Sequence, residues 1–467
     1  MTVSTPSLLI VVLILSQRHC RVNPRMMGSR MLALIRRLNP FKTPDARRLA
    51  LLFGVVYFAQ GMWYLPNQTI TIVLKERGLS AGQVADFFLI TIIPWLIKPV
   101  YGLLSDFVPL FGRRRQSYFL ITSSLAAIAG LILAASDAIA LGPIRTLDLP
   151  GMKFTLIAGV GLFTIMALGL AFTDVLTDAM MVENGRPRGL TGAFQSVQWA
   201  CITVASVAVG SLGGFLAETR SLRTAFLIAA CFPLVSLFMA RTFIHEPVAR
   251  IDKAAFLETW RAILAALGHR EIWIVAGFIF FFWFSPSFGP AFLYYQTDEL
   301  KFSQQFIGHL AAIGSLAGVI GAVVYAPLSR RVPLRRIINL SIGFGVIGTL
   351  AYLVYRDAVS AVIITVVFGA VSMVMQLAFL DLAAKACPPH VEATFFALLM
   401  SVFNLGVQLA ENVGARLYDR VGYSWLVVIG AAMTALTWVL VPLVRIDRIE
   451  AKARAEAAIT VEATPAG

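Results

Sequence analysis

Residues 94–115 read PWLIKPVYGLLSDFVPLFGRRR and contain the features that most sharply define this chain. An apolar segment runs through Gly102 to Asp106 and, after a short turn, reaches the basic cluster 113–115. A glycine lets two helices approach closely, a carboxylate at a helix end accepts hydrogen bonds, and arginines donate to facing carboxylates or carbonyls. The stretch therefore predicts the end of one membrane-spanning helix and a basic turn into the next.

The composition of the whole chain indicates a bilayer environment. Of the 467 residues, 58% are apolar and only 14% are charged, whereas a soluble domain averages about a quarter charged residues. The formal net charge of +14 does not indicate nucleic-acid binding, because the basic residues lie in short clusters between apolar runs. The scattered cysteines and histidines lack the spacing of a metal site, so we expect neither a metal nor a cofactor.

Apolar runs of membrane-spanning length recur along the chain. A helix needs about 20 apolar residues to cross ~30 Å of hydrocarbon. Twelve such runs lie at 49–73, 84–104, 117–136, 154–178, 192–216, 222–243, 272–295, 306–328, 336–355, 359–384, 394–415 and 423–444. The sequence therefore predicts an all-α polytopic membrane protein with twelve transmembrane helices.

Lys and Arg residues predict the orientation, because basic loops stay on the cytoplasmic side of a membrane. With the N-terminus inside, the inner segments hold 26 Lys and Arg residues and the outer loops hold 10. We therefore expect a multi-pass protein of the inner (cytoplasmic) membrane with both termini in the cytoplasm.

A repeat relates the two halves of the chain. Residues 104–106 (Leu-Ser-Asp) align with 328–330 (Leu-Ser-Arg) at an offset of 224, and Asp178 aligns with Asp381 at 203. Two six-helix halves joined by a cytoplasmic connection are the architecture of a major facilitator, whose substrate site lies between the halves. The predicted boundaries are a cytoplasmic N-terminal segment 1–47, a six-helix bundle 48–243, a cytoplasmic connecting segment 244–270, a second pseudo-symmetric bundle 271–445 and a cytoplasmic tail 446–467.

The start of segment 1–47 is open to two interpretations. Its apolar stretch 8–15 is too short to span a bilayer and lacks the flanks of a signal peptide. Either translation starts at Met26, Met27 or Met31, or the upstream residues form a disordered extension or an uncleaved interfacial segment.

Four stretches resemble a known family. They are YFAQG at 57–61, the opening stretch with Gly102, Asp106, Gly112, Arg113, Arg114 and Arg115, TDVLTDAMMVE at 173–183, and QSVQW at 195–199. The chain resembles the major facilitator superfamily and, in its lengthened loop motif, the folate-biopterin transporter family. The resemblance implies transport of folates or pterins, often together with protons.

The same resemblance implies a latch at the cytoplasmic surface. Glu183 would face the basic cluster 113–115 and steady the outward-facing state, so the contact must break for the site to open inward. In the second half Arg330 stands where an acid is expected, which argues against a symmetric second latch.

Two acidic residues lie inside the fourth predicted span. Asp174 and Asp178 are four residues apart and share one helix face, and Lys98 lies at a similar depth in the second span. A carboxylate inside a bilayer is costly and usually faces a cavity or a partner. One hypothesis is that Asp174 or Asp178 binds and releases a proton during transport; the other is a permanent ion pair between Lys98 and Asp174.

Polar and aromatic side chains within the spans are candidates for a substrate cavity. Amides can bind ring nitrogens and carbonyls, and aromatic rings stack on flat heterocycles; alternatively these amides join helices and the aromatics face lipid. The candidates are Gln60, Tyr64, Asn67, Gln195, Gln198, Trp199, Trp283, Gln376, Asp381, Asn404, Gln408, Glu411 and Asn412. Pro286 and Pro290 beside Gly289 predict a kinked or broken seventh span that lines the cavity.

These features together predict a secondary transporter and not an enzyme. The sequence lacks a phosphate-binding loop, so ATP hydrolysis is not expected. It also lacks a cluster of His, Ser or Asp on one membrane face, which catalysis on a lipid would need. We expect a monomer that carries a small folate- or pterin-like solute by alternating access with protons. The alternatives are a facilitator or exporter of another organic anion or metabolite, or a non-transporting membrane sensor.

Overall fold

A computed structural model describes residues 40–135, 145–149, 152–156, 158–185, 188–244, 246, 248, 253–387 and 392–452. The predicted segment 1–47 therefore falls almost wholly outside the described residues, together with the alternative start sites. The tail 446–467 is described only as far as residue 452.

Ten helices of the described residues are long and apolar enough to cross a membrane. Each coincides with one of the twelve predicted runs, whose numbers are kept here. They are span 1 (Pro44–Met62 and Asn67–Glu76), span 3 (Gln116–Ala135), span 4 (Ala158–Gly185), span 5 (Thr191–Glu218), span 6 (Leu222–Phe243), span 8 (Gln304–Arg331), span 9 (Leu334–Ala351), span 10 (Ala358–Ala386), span 11 (Glu392–Val421) and span 12 (Tyr423–Leu436, continuing through Thr437–Leu440 and Val441–Val444).

The other two predicted runs are helical but broken. Span 2 consists of Ala81–Thr91, Ile93–Leu96 and Lys98–Phe107. Pro94 and Pro99 lie at the starts of the second and third pieces, where the missing proline N–H interrupts the helix. The predicted run 84–104 is therefore helical, but hydropathy alone did not register its proline breaks.

Span 7 consists of Arg270–Trp283 and Gly289–Asp298, which confirms the predicted break near Pro286. Two neighbouring spans bind the polar groups of the broken segment. The Ser285 hydroxyl donates to the carbonyl of Gly430 at 2.7 Å, and the Ser287 N–H donates to the carbonyl of Ala410 at 3.2 Å. Such partners make a broken helix tolerable at membrane depth.

A β-hairpin precedes span 4. Strands β1 (Arg145–Leu149) and β2 (Met152–Leu156) pair antiparallel, with Arg145 opposite Leu156. Span 4 was predicted to begin at residue 154, but its helix begins at Ala158 and continues to Gly185. The apolar residues of β2 gave a hydropathy signal continuous with the helix, so periodicity did not separate them.

Helix Lys253–Leu267 lies within the predicted connecting segment. Its stretch Phe256–Ala265 meets Arg270–Trp283 at an angle of 75°, so the chain turns sharply as it enters span 7.

Two apolar clusters form most of the interior. One is drawn almost entirely from residues 41–244, and the other lies between residues 275 and 446. In the second, the rings of Phe282 and Phe379 stack with centroids 4.1 Å apart. The aromatic run of span 7 thus contributes to helix packing.

Small residues bring spans 5 and 8 together across the two halves. A Cβ atom on Gly214 would lie 2.8 Å from the carbonyl oxygen of Gln304, and one on Gly210 would lie 2.6 Å from the nitrogen of Ala312. These positions require glycine because the two backbones nearly touch, as is common where membrane helices pack.

Candidate functional site

Lys98 and Asp174 form an ion pair inside the first half. The break at Ile97 makes Lys98 the first residue of the last helix of span 2. Its Nζ lies 2.6 Å from Oδ2 of Asp174 and 4.8 Å from the centre of the Trp95 ring. The Asp174 side chain is only 3% exposed and that of Lys98 17%. Removing one partner of such a buried pair leaves the other charge uncompensated.

Asp178 lies one helical turn beyond Asp174 and accepts from two neutral donors. The Tyr57 hydroxyl of span 1 donates to its Oδ1, and Nε2 of Gln198 in span 5 lies 3.4 Å from the same oxygen. Spans 1, 2, 4 and 5 therefore meet at one polar site. We call Tyr57, Lys98, Asp174, Asp178 and Gln198 the span 4 cluster.

The basic turn after span 2 is organised around Arg115. Its side chain is 4% exposed, its Nη2 lies 2.7 Å from Oε1 of Glu183, and the same nitrogen pairs with Asp106. Burial lowers the pKa of Arg115, but the nearby charges of Asp106 and Glu183 raise it more, so its pKa lies above the usual value. The residues implied by the family resemblance to form a latch are thus in contact.

The other residues of this turn differ in role. Gly112 has a φ of +73°, a conformation that favours glycine. Arg113 contacts Gln116, while Arg114 is exposed. The expectation for Gly102 was wrong, because a Cβ there would meet Val175 at 3.8 Å, an ordinary contact that an alanine would tolerate.

Polar groups on spans 1, 7 and 11 lie buried without partners. Tyr64 is 43% exposed, so its ring borders open space beside span 1. Its hydroxyl lies within electrostatic reach of Glu411 and Asp174. Eleven buried side-chain polar atoms of the described residues lack a hydrogen-bond partner, and four of them belong to the predicted cavity residues: Gln60 Oε1, Asn67 Oδ1, Trp283 Nε1 and Gln408 Nε2. We call these four residues with Tyr64 and Glu411 the central polar group.

The remaining cavity candidates are more dispersed. Asp381 binds Lys385, with Nζ 2.8 Å from Oδ2, and Tyr325, so its charge already has partners near the end of span 10. Trp199 is 43% exposed. Gln195, Gln376 and Asn404 are half-buried on spans 5, 10 and 11.

Sequence reasoning missed a buried pair between the halves. Oδ1 of Asp86 in span 2 accepts from Arg416 at 2.6 Å and from Asn412 at 2.9 Å, both in span 11. Asp86 is 1% exposed. A carboxylate inside an apolar run is itself a signal, and Asp86 could have been recognised by it; its partner, 330 residues away, could not.

Further contacts join the halves on the face that carries residues 77–80 and 299–303. Lys75 pairs with Asp298, and the Tyr294 hydroxyl donates to the carbonyl of Leu79 at 2.6 Å. Oε2 of Glu218 accepts from the Gln304 N–H at 2.6 Å. This face, remote from the Arg115 turn, is closed by polar contacts. In the described part of the chain, no group of three His, Cys, Asp or Glu side chains could hold a metal ion.

The fold matches that of solved transporter structures. A D-xylose-proton symporter superposes with a TM-score of 0.63 at 16% sequence identity, covering 85% of this chain and 98% of that chain. A nucleoside transporter gives a TM-score of 0.63 at 14% identity over the same shares. These likenesses concern the fold alone, and they confirm the predicted all-α membrane fold.

The sequence comparison assigns the family. The profile of the BT1 family matches residues 59–463, and the chain belongs to this family. It is 32% identical over 385 residues to a folate-biopterin transporter of Synechocystis sp., covering 79% of this chain and 74% of that protein. It is 26% identical over 379 residues to folate transporter 1 of Plasmodium falciparum, covering 78% and 71%. The resemblance found in the sequence motifs is thus confirmed.

Proposed function

We propose that this chain is a secondary transporter that moves a folate- or pterin-like solute across the cytoplasmic membrane. The observation that carries this proposal is the central polar group, whose buried donors and acceptors lack protein partners in a chain of a transporter family. Buried polar atoms are normally satisfied, so such a set suits a bound solute. In this proposal the solute is carried without chemical change.

Alternating access would arise from the movement of two halves, 48–243 and 271–445, around the central polar group. The closed contacts at Lys75, Tyr294 and Glu218 would break for the site to open on that face. In this proposal both termini lie in the cytoplasm, an orientation that the basic loops favour. A single chain supplies both halves of the site, so a monomer suffices.

Proton coupling is assigned to the span 4 cluster. Asp174 pairs with the cation Lys98, and the second carboxylate, Asp178, lies one helical turn further on with only neutral donors. Two like charges at close range disfavour full ionisation, so one proton can be taken up or released as the surroundings change. Movement of span 2 relative to span 4 would shift Lys98 and alter that balance. The competing interpretation remains a permanent ion pair.

Uptake into proteoliposomes tests the proposal. Purified protein is reconstituted, and labelled folate or biopterin is supplied with and without an imposed proton gradient. Accumulation that needs the gradient supports a proton-coupled carrier. Uptake to equilibrium without gradient dependence points to a facilitator, and no uptake of either compound by folded protein removes the substrate assignment.

Asp174→Asn tests the coupling site. With a folded protein, loss of gradient dependence supports proton binding in the span 4 cluster. Unchanged gradient dependence leaves the ion pair as a structural contact. Glu258→Gln, an acid-to-amide change on the exposed face of the connecting helix, serves as the control.

A further inference from the structure

Glu411 is an acidic side chain without a partner in the interior of span 11. Among the described residues, none donates a hydrogen bond to its carboxylate or forms an ion pair with it. The other buried acids differ, since Asp86 and Asp174 each bind a cation. An isolated carboxylate at membrane depth is expensive, so a role for it must involve something outside this chain.

The broken span 7 fixes the position of Glu411. Gly289 has a φ of +43°, and a Cβ there would lie 2.8 Å from Cβ of Glu411. The Ser287 N–H binds the carbonyl of Ala410, the residue before Glu411. The backbone of span 7 thus packs directly against span 11 at this turn, and Glu411 is held half-buried beside the break in span 7.

Gln408 extends the same surface. It lies three residues before Glu411, and residues at this spacing share a helix face. Gln408 is 9% exposed, and its Nε2 is a buried donor without a partner. One helix face therefore presents a carboxylate acceptor next to an amide donor, and Tyr64 of span 1 borders open space within reach of Glu411.

This arrangement matches one edge of a pterin ring. That edge presents, in order, the 2-amino group, the N3–H and the C4 carbonyl: two donors followed by an acceptor. A carboxylate accepts two parallel N–H donors, and such charge-assisted bonds are the strong ones. An amide N–H next to it can donate to the carbonyl.

We propose that Glu411 accepts from the 2-amino group and N3–H of a pterin ring while Gln408 donates to its C4 oxygen, so that span 11 selects the ring. This inference rests on the proposed function and adds the residues that would recognise the substrate. Side chains elsewhere would accommodate the variable part of the solute.

A matched pair of ring compounds tests the contact. Pterin and lumazine share the C4 carbonyl and differ at C2, where pterin has an amino group and lumazine a carbonyl. Competition with labelled biopterin uptake in proteoliposomes measures the relative affinity of each. We expect the wild-type protein to prefer pterin by about 10- to 100-fold, as for loss of a hydrogen bond to a charged group.

Variants assign that preference to Glu411. Glu411→Gln should reduce the preference to less than about 3-fold, because the amide offers one acceptor and no charge. Glu258→Gln, on the exposed face of the connecting helix, should keep it. Gln408→Met should weaken the binding of pterin and lumazine equally, since both compounds have the C4 carbonyl. This second variant keeps the test open if Glu411→Gln fails to fold, which size-exclusion chromatography in detergent would reveal.

The outcomes separate the two proposals. If the wild type transports biopterin and folded Glu411→Gln keeps the full preference, the inference is overturned while the function stands. If that variant loses only its gradient dependence, Glu411 is a proton carrier and the inference is likewise overturned. If the wild type neither transports biopterin nor is inhibited by pterin, both proposals fail.

Discussion

Spans 4 and 11 both carry acids inside the membrane region, yet their surroundings are opposite. Asp174 binds Lys98, and Asp178 accepts from Tyr57 and Gln198. Glu411 has no donor among the described residues. A satisfied network stabilises a particular helix arrangement, whereas an unsatisfied acid destabilises the empty protein and is suited to an external partner. The number of local donors thus separates the two roles, although both sites place carboxylates inside apolar helices.

The largest effect should follow from removing the one cation of the span 4 cluster. Lys98→Met leaves Asp174 buried and uncompensated, and breaking such a pair typically lowers the free energy of unfolding by about 3–5 kcal/mol. Thermal unfolding in detergent would measure this change.

The double variant Lys98→Met with Asp174→Asn is the control for that effect. It removes both charges, so most of the lost stability should return. If the double variant is no more stable than Lys98→Met, the two residues do not act as a pair.

A smaller effect is expected at Tyr57. Tyr57→Phe removes one donor to Asp178 while Gln198 stays, and loss of a partner to a buried polar group costs about 1–3 kcal/mol. The same unfolding measurement applies. The double variant Tyr57→Phe with Asp178→Asn should lose less unfolding free energy than the two single variants lose in sum. Strictly additive losses would show that the Tyr57 hydroxyl does not act on Asp178.

Glu411→Gln should change stability in the other direction. Replacing an uncompensated half-buried acid by a neutral amide of similar shape should leave the unfolding free energy unchanged or raise it by about 1 kcal/mol. A loss of more than about 2 kcal/mol, comparable to that of a removed partner, would mean that Glu411 has a structural role, and the contrast with span 4 would disappear.

The smallest effect is expected at an exposed acid. Asp357 begins span 10, and its Oδ1 accepts from the N–H groups of Val359 and Ser360 at 2.9 and 2.8 Å. The hydrogen bond from Ser360 is the main cause of a pKa below the usual value for this acid, which lies outside the membrane-spanning segment. An acid whose pKa is lower in the folded than in the unfolded protein stabilises the fold at pH values above its unfolded-state pKa. That stabilisation is lost as the pH falls through its folded-state pKa.

Asp357→Ala should therefore be less stable than wild type at neutral pH. The difference should shrink as the pH falls below about 4, the ordinary pKa of an aspartate. A pH series of unfolding temperatures measures this. A difference that persists at low pH would mean that the ionised carboxylate is not the source.

Much of the fold could be predicted from local composition. The apolar runs predicted where spans occur because lipid solvates only apolar surface, and a helix satisfies its own backbone. Pro286 and Gly289 predicted the break in span 7, yet Pro94 and Pro99 were read only as parts of a motif, and span 2 was taken as continuous. The strand 152–156 was joined to span 4 because hydropathy does not distinguish a short apolar strand from the start of a helix.

The candidate site was only partly predictable. The sequence shows that Asp174, Asp178 and Glu411 are acids within apolar runs. Asp86 has the same feature and could have been predicted in the same way. Their partners were less accessible to sequence reasoning, since Arg416 lies 330 residues from Asp86. Pairing over such distances depends on how spans 2 and 11 pack, and no local pattern records it.

Residue chemistry along the chain was therefore enough to establish a membrane protein of the BT1 family, its runs of spanning length and its acidic positions, because hydrophobicity and charge act locally. The distinction between a satisfied and an unsatisfied acid came from the packed structure. Donors reach Asp178 only because spans 1, 4 and 5 converge, whereas span 7 packs the backbone of Gly289 against Glu411 and supplies no donor to it.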